Sequence, residues 1–403
     1  MQSTSLPKSG GEATRSSPVP LTCASLRRVR EMASANGLAV TDDAGEVSSH
    51  HPAIPLNPEV AWTRPVRVLF ASPEIFPLAK TGGLADVSAA LPAALTRLGV
   101  DLRLVMPGYP RAIDEASGKG LPIDLGDVHG FGETRLIPGR TPDTSLPLWL
   151  VDCPSLFRRE GGLYLDADGH EWPDNASRFA LFCHAVARIA LGTAGVAWRP
   201  DVLHLNDWHL GLVPALLAAQ PQPRPRSLLT IHNLAFQGVF AAETFARLGL
   251  PESWFTPEGV EFYGCVSFLK AGIRFADHIS TVSPRYAREI LTPEFGCGLD
   301  GMLATRAHEL TGILNGIDYE RWTPADLSTV PHPYSADDLS GKRDCKAAVQ
   351  EEFALDRQQR APLVAYVSRL TGQKMADVLP HIAPALVAEG TQLVICGEGL
   401  PGD

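Results

Sequence analysis

Val66-Arg67-Val68-Leu69-Phe70-Ala71, followed by Lys80-Thr81-Gly82-Gly83-Leu84, decides how this chain folds. The first stretch is a short apolar run with β-branched residues, the pattern of a strand buried on both faces. The second is a glycine turn. Leu84, Val87, Leu91, Leu95 and Leu98 then recur at helical spacing. Pro92 falls inside that helix, where it would interrupt the hydrogen-bond ladder. Leu102-Arg103-Leu104-Val105-Met106, ahead of Pro107, reads as the next strand. Strand, glycine loop, helix, strand is the opening of a doubly wound parallel sheet.

The rhythm continues along the chain. Leu148-Trp149-Leu150-Val151 predicts a strand and Phe179 to Leu191 a helix. Val202-Leu203-His204-Leu205 is a strand that runs into Asn206-Asp207-Trp208-His209, with a helix expected from about Leu210 to Ala219. Leu228-Leu229-Thr230-Ile231 ends in His232-Asn233; a helix at Phe268 to Phe275 precedes a strand at Ile279-Ser280-Thr281-Val282. Polar residues gather at the carboxyl ends of these strands, where open α/β sheets bind ligands.

Residues 324–345 are rich in Pro, Ser and Asp and read as a connection between domains. A second α/β unit opens with a strand at Leu363-Val364-Ala365-Tyr366-Val367, a helix over about Ala376 to Ala388, and a strand at Gln392-Leu393-Val394-Ile395-Cys396. Two strands fall short of a Rossmann domain, so residues 346–403 are expected to be an incomplete one. Residues 1–63 are rich in Ser, Pro, Gly and Ala without an amphipathic period, and are expected to be a disordered extension. Lys8, Arg15, Arg27, Arg28 and Arg30 give its start the look of a transit peptide, but Glu31, Asp42, Asp43 and Glu46 follow, and an inert extension is the favoured reading.

Composition narrows the class. Of 403 residues, 45% are hydrophobic and 20% charged, as in ordinary globular proteins. Basic side chains number 35 against 45 acidic ones, a net charge of −10, which argues against nucleic acid or an anionic membrane as partner. No apolar run approaches the roughly 18 residues of a membrane-spanning helix. The 7 cysteines are scattered without a CxxC pair, which fits a reducing compartment and neither a disulfide framework nor a zinc site.

Three clusters carry chemistry. Lys80 with Gly82 and Gly83 suits an anionic diphosphate: glycine lets a ligand approach the backbone, and the helix N-terminus offers free N–H groups. His204 through His209 offers His209 for a sugar hydroxyl, with Asp207 expected as a helix N-cap and Trp208 as packing; no third zinc ligand is adjacent. His232 and Asn233 form another polar strand end. Arg369 and Lys374, in the corner after the second unit's first strand, could hold a pyrophosphate and offset its developing charge.

Together these segments resemble the bacterial and plant glycogen/starch synthases. The resemblance runs in order through Lys80 to Val87, His204 to His209, Thr230 to Gly238, Phe268 to Gly272, Thr281 to Pro284, Glu294 to Gly301, Leu314 to Asp318 and Ser368 to Lys374, across about residues 66–396. It implies the GT-B fold, an α/β architecture of two Rossmann-like domains facing a cleft, with the second truncated here. It implies transfer of glucose from ADP-glucose to the non-reducing end of an α-1,4-glucan, with retention and without a metal or other cofactor, in the bacterial cytoplasm or a plastid. By the same resemblance, Lys80, Gly82 and Gly83 face the donor, with His232 and Asn233 also in the substrate site. Asp174, in Trp172-Pro173-Asp174-Asn175, and His209 line the glucose site, and Arg369 and Lys374 hold the diphosphate. The chain departs from the family at Met375, where glycine is usual, and at Leu400, where Asp-Pro is usual. A glucan-binding chain without activity and a GT-B transferase with another acceptor are the alternatives.

Overall fold

The computed structural model describes residues 64–397, apart from Ala167, Gln222 and Thr329, together with Gly399. The expectation for residues 1–63 lies outside them. The chain divides into two compact units between Thr323 and Pro324.

The larger unit is built on a nine-stranded sheet. Its strands are β1 (Arg67–Ala71), β2 (Asp101–Pro107), β3 (Ile123–Asp127), β4 (Glu133–Arg140), β5 (Pro147–Asp152), β6 (Val202–Asn206), β7 (Arg226–Ile231), β11 (His278–Thr281) and β12 (Leu310–Gly312). A small antiparallel sheet of β8 (Val239–Phe240), β10 (Cys265–Ser267) and β9 (Glu261–Phe262) lies apart. In the large sheet the order is β12-β11-β7-β6-β1-β2-β5-β4-β3. All neighbours from β12 to β5 pair in parallel, while β4 and β3 join antiparallel at the edge. The chain moves from β1 through β2 to β5 on one side, then returns to β6 on the other side of β1. The carboxyl ends of β1 and β6 therefore flank a topological switch point, where such sheets open a crevice.

Helices close the faces. They are α1 (Gly83–Arg97), α2 (Pro110–Glu115), α3 (Pro154–Phe157), α4 (Asn175–Leu191), α5 (Leu212–Ala218), α6 (Phe268–Phe275), α7 (Pro284–Glu289) and α8 (Asp300–Thr305). Pro92 is accommodated inside α1, which runs on to Arg97. Helix α4 starts earlier than its apolar period indicates and buries Phe179, Leu181, Phe182, Val186 and Ile189; each large side chain so buried contributes about 1.5–3 kcal/mol. It stops where Gly192 takes φ 71°. Ser267 and Ser283 cap α6 and α7 by accepting from the Lys270 and Tyr286 N–H groups at 3.1 and 3.0 Å. The expected helix from Leu210 splits into a 3₁₀ turn, Trp208–Leu210, and α5. Gly211 at that joint allows α5 to touch α6: a Cβ there would lie 2.0 Å from the Phe268 carbonyl oxygen.

The smaller unit contains α9 (Ser340–Glu352), β13 (Leu363–Val367), α10 (Leu379–Ala388) and β14 (Gln392–Cys396), with the two strands parallel and Leu363 opposite Gln392. Helix α9 begins inside the stretch expected to be a connection. Its start is hidden in a polar run, because Asp338 prepares it by accepting from the Ser340 N–H at 2.9 Å. Residues 376–378, expected to be helical, form a 3₁₀ turn before α10.

Candidate active site

The loop after β1 supplies the first wall. Gly82 precedes α1 with an extended backbone, φ −157°, and neither it nor Gly83 has a positive φ. A Cβ on either would meet nothing within 4 Å. Packing against the described residues does not call for glycine here, and the pair leaves the backbone open to close approach. Lys80, exposed beside them, pairs with both oxygens of Asp86 at 2.8 Å.

Glu74, on the same loop, carries no motif and was not legible as a site residue. It is 3% exposed. Its carboxylate accepts from the Thr81 N–H and hydroxyl at 2.6 Å each, the Gly82 N–H at 3.4 Å and the Tyr164 hydroxyl at 2.7 Å. Burial first, then Glu74, raise the Tyr164 phenol well above its ordinary pKa.

The loop after β6 supplies the second wall. Asp207 was expected as an N-cap, and the structure corrects this: its side chain caps no helix. Its φ of 60° turns the carboxylate toward the end of β7 instead, where it accepts from the His232 N–H at 2.7 Å. Burial raises the Asp207 pKa, and His232 opposes that rise. His232 Nε2 meets Asn206 Oδ1 at 3.0 Å, and Asn206 Nδ2 donates to the Ala71 carbonyl at 2.9 Å, so β1, β6 and β7 are tied at their ends. Asn233 Oδ1 accepts from the Ala235 N–H at 3.0 Å and shapes the turn beyond.

His209 is 5% exposed. Its ring stacks on Trp208 at 3.9 Å and lies 4.7 Å from Tyr164 and 4.6 Å from Phe179. Both ring nitrogens are shielded and, among the described residues, no atom hydrogen-bonds them. Burial, with Arg178 nearby, holds its pKa well below the usual histidine value. His209 thus backs the Tyr164 wall rather than lining an open surface. Gly238 makes room for Trp208: its φ is 56°, and a Cβ would lie 2.2 Å from the indole.

Asp174 precedes α4 and takes both Arg159 nitrogens at 2.9 and 2.7 Å. Arg159 and Arg178 line a cavity of about 800 Å³ together with Lys80, Thr81 and Tyr109. Arg178 is buried and donates to the Leu156 and Leu163 carbonyls and to Asn175 Oδ1. The larger unit therefore gathers Lys80, Gly82, Gly83, Asp174, His209, His232 and Asn233 on the loops at the carboxyl ends of its central strands and the turn before α4.

Arg369 and Lys374 belong to the smaller unit. Both are exposed, and the Tyr366 hydroxyl donates toward their two carbonyls at 3.2 and 3.0 Å, so one turn presents both cations. Met375 follows at φ 59°, the left-handed conformation glycine takes freely. As for metals, the one trio of close ligand-type side chains among the described residues is Asp166, Asp168 and His170, on the loop between Tyr164 and Trp172.

A doubly wound sheet with its polar residues at the switch point, joined to a second α/β unit, is the architecture of the GT-B class. Comparison with known proteins narrows this. The family model for the starch synthase catalytic domain matches residues 67–305, and the chain belongs to that family. It is 53% identical over 331 residues to a glycogen synthase of Burkholderia thailandensis, covering 82% of this chain and 62% of that protein. A glycogen synthase of Paramagnetospirillum magneticum is 50% identical over 336 residues, covering 83% and 68%. The chain thus spans about two thirds of the length of these relatives. Among solved structures, the catalytic domain of starch synthase IV from Arabidopsis thaliana, bound to ADP and acarbose, aligns with a TM-score of 0.73 and 28% identity over 84% of this chain and 69% of that one.

Proposed function

We propose that this chain carries out glucan elongation: glucose passes from ADP-glucose to the non-reducing end of an α-1,4-glucan with retention of the anomeric configuration. The observation that carries the reading is the Gly82-Gly83 backbone, with nothing within 4 Å of a Cβ placed on either glycine, next to a cavity lined by Lys80, Thr81, Arg159 and Arg178. The loop and its cations suit a diphosphate; the polar strand end at His232 and Asn233 suits a hydroxylated sugar. The acceptor's 4-hydroxyl attacks the anomeric carbon on the face that the diphosphate leaves. The bond from that carbon to the phosphate oxygen breaks, the new glycosidic bond forms, and the hydroxyl proton passes to the departing ADP. The protein positions both partners and stabilises the leaving charge. Lys80 serves that role on the larger unit; Arg369 and Lys374 are suited to it on the smaller one. His232 and Asp174 face the sugar, with Asn233 shaping the turn and His209 supporting Tyr164.

In this reading no metal takes part, and the site of action is the cytoplasm. Among the described residues no helix is long and apolar enough to cross a membrane. The test is incorporation of labelled glucose from ADP-glucose into glycogen, with UDP-glucose as competing donor and sucrose or lipopolysaccharide cores as competing acceptors. Incorporation into glycogen that survives EDTA is expected. Glycogen binding without incorporation would leave a glucan-binding chain instead, and preference for another acceptor would reassign the transferase.

A further inference from the structure

Glu74 joins two loops that the sequence keeps about 90 residues apart. On one side are Thr81 and Gly82, at the mouth of the glycine turn; on the other is Tyr164, whose ring rests against His209. Its own backbone is fixed as well. The Ser72 hydroxyl donates to the Glu74 carbonyl at 2.7 Å and meets the Ser88 hydroxyl of α1 at 2.9 Å.

We propose that Glu74 is a positioning residue that locks the glycine loop and the Tyr164 wall into one unit, so that a ligand held by one is aligned by the other. The proposal rests on the donor-site reading given above. The two partners of Oε2 are backbone N–H groups, which only donate, and the two partners of Oε1 are hydroxyls that meet on one charged oxygen. A glutamine keeps an acceptor for the N–H groups but puts a neutral NH₂ where the two hydroxyls share a charged oxygen, and an aspartate is one methylene short. Because both Thr81 Oγ1 and Tyr164 Oη donate to the same oxygen, Oε1, a shift in one bond is felt by the other. The Thr81 and Gly82 N–H groups, drawn to Oε2, fix the turn that leads into α1.

A double-mutant cycle tests this. Thr81→Val removes one donor and Tyr164→Phe the other, each with little change in shape. Their effects on ADP-glucose affinity are expected to be non-additive by about 3-fold or more, and additive when Glu74→Gln is the background. A second arm needs no ligand: hydrogen exchange at the Thr81 and Gly82 amides. Tyr164→Phe is expected to speed that exchange about 10-fold, although Tyr164 touches neither amide, with no comparable change at β1. Additive affinities in the Glu74 background, or Thr81 and Gly82 exchange that ignores Tyr164→Phe, would overturn the proposal. A wild-type protein that fails to bind ADP-glucose would count against the donor reading alone, and the exchange arm would still decide for or against Glu74. If Glu74→Gln does not fold, the two single variants and their exchange rates suffice.

Discussion

At the residue scale, His209 and His232 sit in different surroundings, and each reading of them can be tested. His232 is partly exposed and its ring makes one hydrogen bond, to Asn206. His232→Ala should lower kcat about 10²-fold, the effect of losing one transition-state contact, and destabilise by only about 1 kcal/mol. His209→Ala should destabilise by about 2–4 kcal/mol, because it empties a space packed by Trp208, Tyr164 and Phe179. Glucose incorporation paired with urea denaturation checks both; a stable, inactive His209→Ala would reverse the assignment. Lys80, Gly82 and Gly83 stand out in the sequence because a cation and two glycines between a strand and a helix form a local pattern. Glu74 and Tyr164 do not, since their meaning lies in a contact between distant loops. Asp207 was misread because an acid before a helix usually caps it, whereas here a positive φ aims it at the next strand.

At the element scale, most strands and helices of the parallel core could be read from apolar runs and 3.6-residue periods. The edge hairpin β3–β4 could not. Its strands are interrupted by Gly126, Pro138 and Gly139, and a bulge lies between Asp124 and Gly126. Two substitutions probe how elements are joined. Gly211→Ala forces a methyl group into the Phe268 backbone and should destabilise the larger unit by about 3 kcal/mol, as overpacking against backbone does. Met375→Gly relieves a left-handed residue and should stabilise the smaller unit by about 1 kcal/mol, after the greater freedom of glycine in the unfolded chain is subtracted. Urea midpoints read both; an unchanged midpoint for Gly211→Ala would mean that α5 and α6 can move apart without loss.

At the scale of the whole molecule, the larger unit should lose stability in acid. The larger unit buries His204 and His209 and half-buries His184, and burial lowers the pKa of each: to about 4 for His184, with His129 adding to it, to about 3 for His204, and well below 6.5 for His209. The folded state therefore binds fewer protons than the unfolded state below the unfolded value near 6.5. Stability from these groups is complete above that pH and is lost as pH falls through it toward 4 and 3. Each histidine contributes about 1 kcal/mol to the loss between pH 7.5 and 5.5. Asp207 acts in the opposite sense, since burial raises its pKa and protonation relieves it, so it offsets part of the loss. The smaller unit has no tryptophan in residues 324–397. Tryptophan fluorescence thus reports the larger unit alone. Its urea midpoint should fall clearly from pH 7.5 to 5.5, while the Met375→Gly variant leaves that pH dependence untouched. His184→Gln, which keeps a donor for the Leu248 carbonyl, should reduce the proton uptake on unfolding at pH 5.5 by nearly one. A tryptophan-reported midpoint that stays level across this range would show that the three histidines are not held neutral by the fold.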